Sequence, residues 1–249
     1  MIPTIGGEER KRQQSYDALH KQDQLRFPLE DYPVFYSWLN IPGTGKGLRL
    51  LDIASGQGFF LEAAEQNGEV SCYGVDFSEV ALEFAKRRLH RTELKQSSAY
   101  ALPFEDGFFD YCVNLGSLEH FDEPERSLVE IRRVLKSNGK ALIIVPNKFY
   151  LGTIWRVYAY GEDDDQGQQG LTNFRTITSW KNLFLSCGLD VTGVHGYNGE
   201  HHINWFFRRP DGRISDQEKQ WRRLLNEFVK PMIPLNLCHC FVFTVRRQL

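Results

Sequence analysis

The sequence predicts an α/β fold, a mostly parallel sheet with helices on both faces, and three observations carry that expectation. Strand-like and helix-like segments alternate from about residue 48 to residue 147, the order that parallel strands joined by crossover helices require. The stretch "KALIIVPN" at 140–147 is a nearly unbroken apolar run, as a strand covered on both faces should be. The first strand empties into "DIASGQG" at 52–58, a glycine-rich turn of the kind that brings a backbone close to a ligand.

Taken in order, "LRLLDIA" at 48–54 reads as the first strand and "FFLEAAEQNG" as a helix stopped by Asn67-Gly68, a favourable helix end. "VSCYGVD" is the second strand. "SEVALEFAKRRLH" follows with Ser78 as N-cap and an apolar face of Val80, Phe84 and Leu89. "TELKQSSA" is a short third strand and "FFDYCVNLG" a clear fourth. In "EPERSLVEIRRVLKSNG", Pro124 suits the first helical turn, Leu128, Ile131 and Leu135 share a face, and Asn138-Gly139 are expected to end the helix. "KALIIVPN" is the fifth strand. Beyond it, "TITSWKNLFLSCG" reads as a helix, "LDVTGVHGY" as a sixth strand, 215–230 as a late helix and "CHCFVFTVRR" as the last strand.

A chain of 249 residues suits one large domain. Its net charge of −2 gives no electrostatic reason to bind nucleic acid or an anionic membrane. The N-terminus shows no signal-peptide hydrophobic run, and no apolar stretch approaches the ~20 residues of a membrane span. The five cysteines have no metal-ligand spacing, so no metal site is expected. Cys72 and Cys112 read as core residues, and the set fits a cytoplasmic, reducing location. Residues 161–170 are acidic and glycine-rich and read as a surface loop, either solvated or gating a ligand.

Chemistry in such a sheet is expected just after each strand. After the first come Asp52, Ala54, Ser55, Gly56 and Gly58; after the second comes Asp76, where a carboxylate can accept from both hydroxyls of a ribose. Leu61 stands where a dinucleotide-binding helix needs its third glycine, and Asp52 would repel a phosphate. The pair therefore points to a nucleoside ligand carrying an ammonium group and no pyrophosphate.

Four blocks, "LLDIASGQG", "YGVDFS", "SSAYALPFEDGFFDYCVNLGSLEHF" and "SLVEIRRVLKSNGKALIIVPN", resemble the class I S-adenosylmethionine-dependent methyltransferases, in particular the small-molecule group called methyltransferase type 11. The resemblance spans about residues 48 to 147. It implies a Rossmann-like, seven-stranded sheet with an antiparallel last strand, S-adenosyl-L-methionine as cofactor and S-adenosyl-L-homocysteine as product. Carried onto this chain, Asp52, Ala54, Ser55, Gly56 and Gly58 hold the amino-acid end of the cofactor and Asp76 the ribose. Phe77, Ser98 and Ala99 flank the adenine, and Asn114 and Leu115 line the methionine side. Ala54 stands where glycine is commonest, Ser98 where an acid is usual, and "LKSNGK" where a proline-glycine turn is usual.

His120 and Glu119, after the fourth strand, are the candidate catalytic pair if the acceptor must lose a proton. For His120 a capping or packing role competes with that reading, and Glu119 also suits a loop-orienting role. His201 and His202 are adjacent and point apart in an extended segment, against a metal pair. Residues 1–45 form an N-terminal helical extension, read either as a lid bringing Tyr16 or Phe27 to the substrate or as a cover for one face of the sheet. Residues 46–249 form a single domain, with an acceptor-side insertion around 148–180. The stretch Asn114-Leu115-Gly116-Ser117 lacks the Asn/Asp-Pro-Pro-aromatic tetrad of base-amine methylation, so the partner expected is a small-molecule acceptor. An NAD(P)-dependent oxidoreductase and a non-catalytic S-adenosylmethionine-binding protein are the competing readings.

Overall fold

The computed structural model describes residues 15–20, 27–161, 173–198, 229 and 232–248. Its centre is a seven-stranded sheet. The strands are β1 (Arg49–Ile53), β2 (Ser71–Asp76), β3 (Glu93–Gln96), β4 (Phe109–Leu115), β5 (Leu135–Pro146), β6 (Leu189–Tyr197) and β7 (Cys240–Arg247). They lie in the order β3-β2-β1-β4-β5-β7-β6. The first five pair in parallel, whereas β7 runs antiparallel to both β5 and β6. Strand order reverses between β1 and β4, which puts the ligand crevice beyond their carboxyl ends.

Alternation along the strands divides the core into two faces, because successive side chains point to opposite sides. Leu51, Ile53, Ile143 and Phe243 pack on one side with Trp180 and Phe184. Leu50, Leu142, Ile144 and Val242 pack on the other with Phe35, Phe60 and Leu61. Helix α1 (Asp31–Trp38) supplies Phe35 and α2 (Phe59–Asn67) supplies Phe60 and Leu61. α3 (Glu79–Arg88) adds Ala85 to that second face. α4 (Pro124–Val134), through Leu128 and Ile131, covers the first face together with α6 (Ile177–Ser186). Between them in the chain, α5 (Leu151–Tyr160) occupies part of the stretch read as an insertion.

Local chemistry explains the helix ends. Ser78 caps α3, its hydroxyl accepting from Ala81 N at 3.1 Å, and Thr176 caps α6 in the same way through Ser179 N. Two expectations need correction. The buried face of α3 is Ala81, Leu82 and Ala85, while Val80 and Phe84 are only half-buried. Small residues are needed there because α3 packs close to the glycine turn: a Cβ on Gly58 would lie 3.2 Å from Ala85 Cβ. Asn138-Gly139 do not end α4, which stops at Val134; Leu135 already begins β5. The dipeptide instead belongs to an irregularity where β5 shifts register against Phe109 and Tyr111 of β4. A Cβ on Gly139 would come within 3.1 Å of two backbone carbonyls there, so glycine serves a close approach.

The expected last strand, sixth strand and core cysteines are in place, and all five cysteines are buried and free. The expected late helix at 215–230, apart from residue 229, lies outside the described residues, as do His201, His202 and residues 162–170 of the acidic loop.

Candidate active site

The turn after β1 is left-handed at three positions, Ala54 (φ 60°), Gly56 (φ 52°) and Gly58 (φ 79°). Ser55 N donates to Val75 O at 2.9 Å and Gly58 N to Ser55 O at 2.9 Å, so the turn is closed against β2 and against itself. Ala54 is the telling residue. An L-residue other than glycine in this region carries about 1–2 kcal/mol of strain, so the alanine's burden is conformational rather than a loss of space. Ala54→Gly should stabilise the protein by about 0.5–1 kcal/mol in urea melts, the relieved strain exceeding the roughly 0.5–1 kcal/mol of extra unfolded-state freedom. A lowered midpoint would show that the turn carries no such strain.

Asp76 ends β2 and ties the two strand ends together. Its carboxylate accepts from Gly56 N and from Ser78 N, each at 2.8 Å. Burial pushes its pKa above the ordinary carboxylate range, opposed by those two donors and by His20, with Asp17 adding to the rise. Asp52 is wholly buried one strand away, and burial together with the Asp76 charge pushes it well up. No lysine or arginine among the described residues pairs with either acid. The cradle therefore presents crowded carboxyl groups and free backbone curvature, a setting that favours a cationic ligand and opposes a phosphate.

The opposite wall comes from β4 and the segment after it. Asn114 is fully buried; its Nδ2 donates to Ile53 O at 2.9 Å and its Oδ1 accepts from Leu118 N at 3.0 Å. It thereby clamps the end of β1 to a 3-10 turn at Leu118–His120. Leu115 beside it is half-buried. Gly116 (φ 67°) faces the Phe27 ring, which comes within 3.1 Å of the position a Cβ would take. Glu119 is buried, and burial pushes its carboxyl up to about 8. Its Oε2 has no hydrogen-bond partner among the described residues, and its Oε1 lies 3.9 Å from His120 Nε2. At neutral pH this carboxyl is protonated, so the contact is one between an acid and an imidazole rather than a full ion pair.

At the end of β3, Ser98 Oγ accepts from Tyr100 N at 3.2 Å and Ala99 is half-buried beside it. The serine proton remains available, so this position can donate as well as accept. The helical residues 15–20 lie over the site. Tyr16 packs edge-on against Phe77 with ring centroids 5.5 Å apart and stands 6.4 Å from the His120 ring. Ser78 Oγ donates to Asp17, and Gln57 Nε2 donates to His20 O at 2.8 Å. The structure thus places the turn after β1, Asp76, Phe77, Ser98, Asn114 and the Glu119-His120 pair at or just beyond the carboxyl ends of β1 to β4. Asp17, His20 and Gln57 were not singled out by the sequence. Their contacts span dozens of residues and leave no local pattern.

A sheet ordered β3-β2-β1-β4-β5-β7-β6, with only β7 antiparallel to its neighbours and a left-handed turn after β1, has the class I, Rossmann-like methyltransferase fold. Residues 51–143 match the methyltransferase domain family. The chain therefore carries a methyltransferase domain there, and relatives that it matches over a longer stretch are named methyltransferases. A demethylmenaquinone methyltransferase of Staphylococcus saprophyticus is 29% identical over 176 residues, 61% of this chain and 75% of that protein. An S-adenosylmethionine-dependent methyltransferase from Mesorhizobium loti shares the fold at a TM-score of 0.60 and 16% identity, over 88% of this chain and 100% of that one. A geranyl diphosphate C-methyltransferase from Streptomyces coelicolor, solved with Mg2+, geranyl diphosphate and S-adenosylhomocysteine, shares it at 0.57 and 13%, over 85% and 76%. No helix among the described residues is long and apolar enough to cross a membrane.

Proposed function

We propose that the protein methylates a ring carbon of a small hydroxylated aromatic acceptor of the quinol class, using S-adenosyl-L-methionine bound at the turn after β1. The acidic cradle carries this reading: Asp52 and Asp76 lie buried beside a left-handed turn with no lysine or arginine partner among the described residues. A cofactor with an ammonium and a sulfonium relieves that crowding, whereas the pyrophosphate of NAD(P) would aggravate it. The name of the staphylococcal relative supports the acceptor class.

In this reading Ala54, Ser55, Gly56 and Gly58 embrace the methionine end, with Asp52 a nearby carboxyl whose ionisation the cofactor's positive charge favours. Asp76 accepts from the ribose hydroxyls, and Phe77, Ser98 and Ala99 border the adenine. Asn114 and Leu115 line the methionine side, Asn114 chiefly by fixing the strand end. Bound there, the cofactor supplies an electrophilic methyl group on a sulfonium, open to in-line displacement. The chain's part is to align the acceptor, exclude water and move one proton. Tyr16 and Phe27 close the crevice as aromatic walls, suited to a ring and favourable to a cation. His120 takes the phenolic proton, which raises the electron density of the ring carbon; once that carbon carries the methyl group its own hydrogen leaves as a proton to solvent and His120 returns its proton to the phenol oxygen, while the Glu119 carboxyl beside it orients the imidazole. Residues 1–45 act as the lid and 148–180 as the acceptor-side insertion. The free thiols and modest net charge fit a cytoplasmic enzyme of small molecules rather than of nucleic acid.

The test is methyl transfer from S-adenosylmethionine to a short-chain demethylmenaquinol, a catechol, a primary amine and a fatty acid, with products identified by mass spectrometry. A carbon-methylated quinol is expected. Turnover confined to the amine or the acid would overturn the acceptor class and leave methyl transfer standing.

A further inference from the structure

The helical segment at residues 15–20 is attached to the cradle at three points. Tyr16 stacks edge-on against Phe77, Asp17 accepts from Ser78 Oγ, and the carbonyl of His20 accepts from Gln57 Nε2. These contacts fix the backbone and leave the His20 side chain turned to the turn after β1. Its Cε1, the carbon between the two ring nitrogens, lies 3.3 Å from the position a Cβ on Gly56 would take. The residue is only 6% exposed. Its Nδ1 is buried and has no hydrogen-bond partner among the described residues.

Folded proteins rarely leave a buried polar atom unsatisfied, and one that is left so calls for an explanation such as a ligand. The surroundings narrow the chemistry. Asp76 and Asp17 both favour a charge on the imidazole, but burial is the larger effect and holds the ring towards its neutral form. A neutral imidazole has one N–H donor and one bare nitrogen acceptor, which suits a hydroxyl better than a carboxylate or a phosphate. Asp76, the adjoining acid, has committed one contact per oxygen to backbone N–H groups. Each oxygen keeps a lone pair for a further hydroxyl.

We propose that His20 is a nucleoside-binding residue, its ring nitrogen hydrogen-bonding a ribose hydroxyl of the cofactor whose diol rests on Asp76. The inference rests on the ribose placement given under Proposed function. A hydroxyl that donates to Asp76 still has lone pairs for an imidazole N–H, and its neighbour can donate to a bare ring nitrogen. The N-terminal segment is then part of the cofactor site and not merely a cover: one ribose bridges the end of β2 and residues 15–20. Cofactor binding and seating of that segment become one event, since the same imidazole belongs to both.

Calorimetric titration with S-adenosylhomocysteine and its 2′-deoxy and 3′-deoxy analogues tests this, on the full chain and on His20→Ala, His20→Asn and Asp76→Ala. His20→Ala should lose about five- to tenfold in affinity for S-adenosylhomocysteine, the range of one neutral hydrogen bond. It should lose little for the analogue lacking the hydroxyl it contacts. His20→Asn, which keeps a polar atom near the Nδ1 position, should recover part of the loss and guards against a variant that fails to fold. Equal losses of His20→Ala towards all three ligands would assign it a structural role and overturn the inference. So would unchanged affinity in His20→Ala alongside a weakened Asp76→Ala, with the cofactor site left intact. Failure of the unaltered protein to bind S-adenosylhomocysteine would remove the ribose placement, and this inference with it.

Discussion

Glu119→Gln should make the protein more stable than the unaltered chain above pH 8, with the advantage shrinking to nothing near pH 4. The sign follows from burial. The folded-state pKa of Glu119 is about 8 against an ordinary 4.5, so the proton is bound more tightly in the folded state. The stability this contributes is fully present below about pH 4.5 and is lost as the pH rises through 8. A shift of that size corresponds to about 3–5 kcal/mol across the window, as an upper range. Glutamine keeps the neutral shape and does not titrate, so the difference between the two stability–pH curves isolates this one group from Asp52 and Asp76, which shift in the same direction. Urea midpoints at pH 4, 6, 8 and 9 measure it. Parallel curves would mean that Glu119 is ionised in the fold and that its unpartnered Oε2 meets solvent.

Asp76→Ala should weaken S-adenosylhomocysteine binding by about 1.5–3 kcal/mol, the worth of hydrogen bonds to a charged group. Two losses combine here. In the proposed placement the ribose diol loses its acceptor, and Gly56 N and Ser78 N lose the carboxylate that ties the turn to β2. Asp76→Asn separates them, because the amide keeps an acceptor for one backbone donor but meets the other with an N–H. Asn should therefore bind weakly too, with thermal stability measured alongside to report the turn. Unchanged affinity in the alanine variant would place the ribose elsewhere.

What the sequence disclosed and what it withheld divide along a physical line. β1, β2, β4 and β5 were legible because each is an apolar run closed by a turn, and the turn after β1 because glycines mark left-handed backbone. The chain pattern also located Asp76, since an acid at the end of the second strand is a local signal. The strain at Ala54 was not legible: alanine gives no hint that its φ is 60°. Asn138-Gly139 looked like a helix end because that dipeptide stops helices. Pairing of Leu135 with Phe109 draws the chain into the sheet four residues earlier than Gly139 suggested. Such a long-range contact outweighs the local preference. The burial of Glu119 and the approach of His20 to Gly56 likewise depend on segments far apart in the chain, which no periodicity encodes.

The central claim is that the turn after β1 and Asp76 hold a sulfonium nucleoside and not a dinucleotide. Calorimetric titration of the unaltered protein with S-adenosylmethionine, S-adenosylhomocysteine and NADH tests it most directly. Micromolar binding of both sulfur nucleosides with no heat from NADH is the predicted result. Binding of NADH, or of neither sulfur nucleoside, would contradict it.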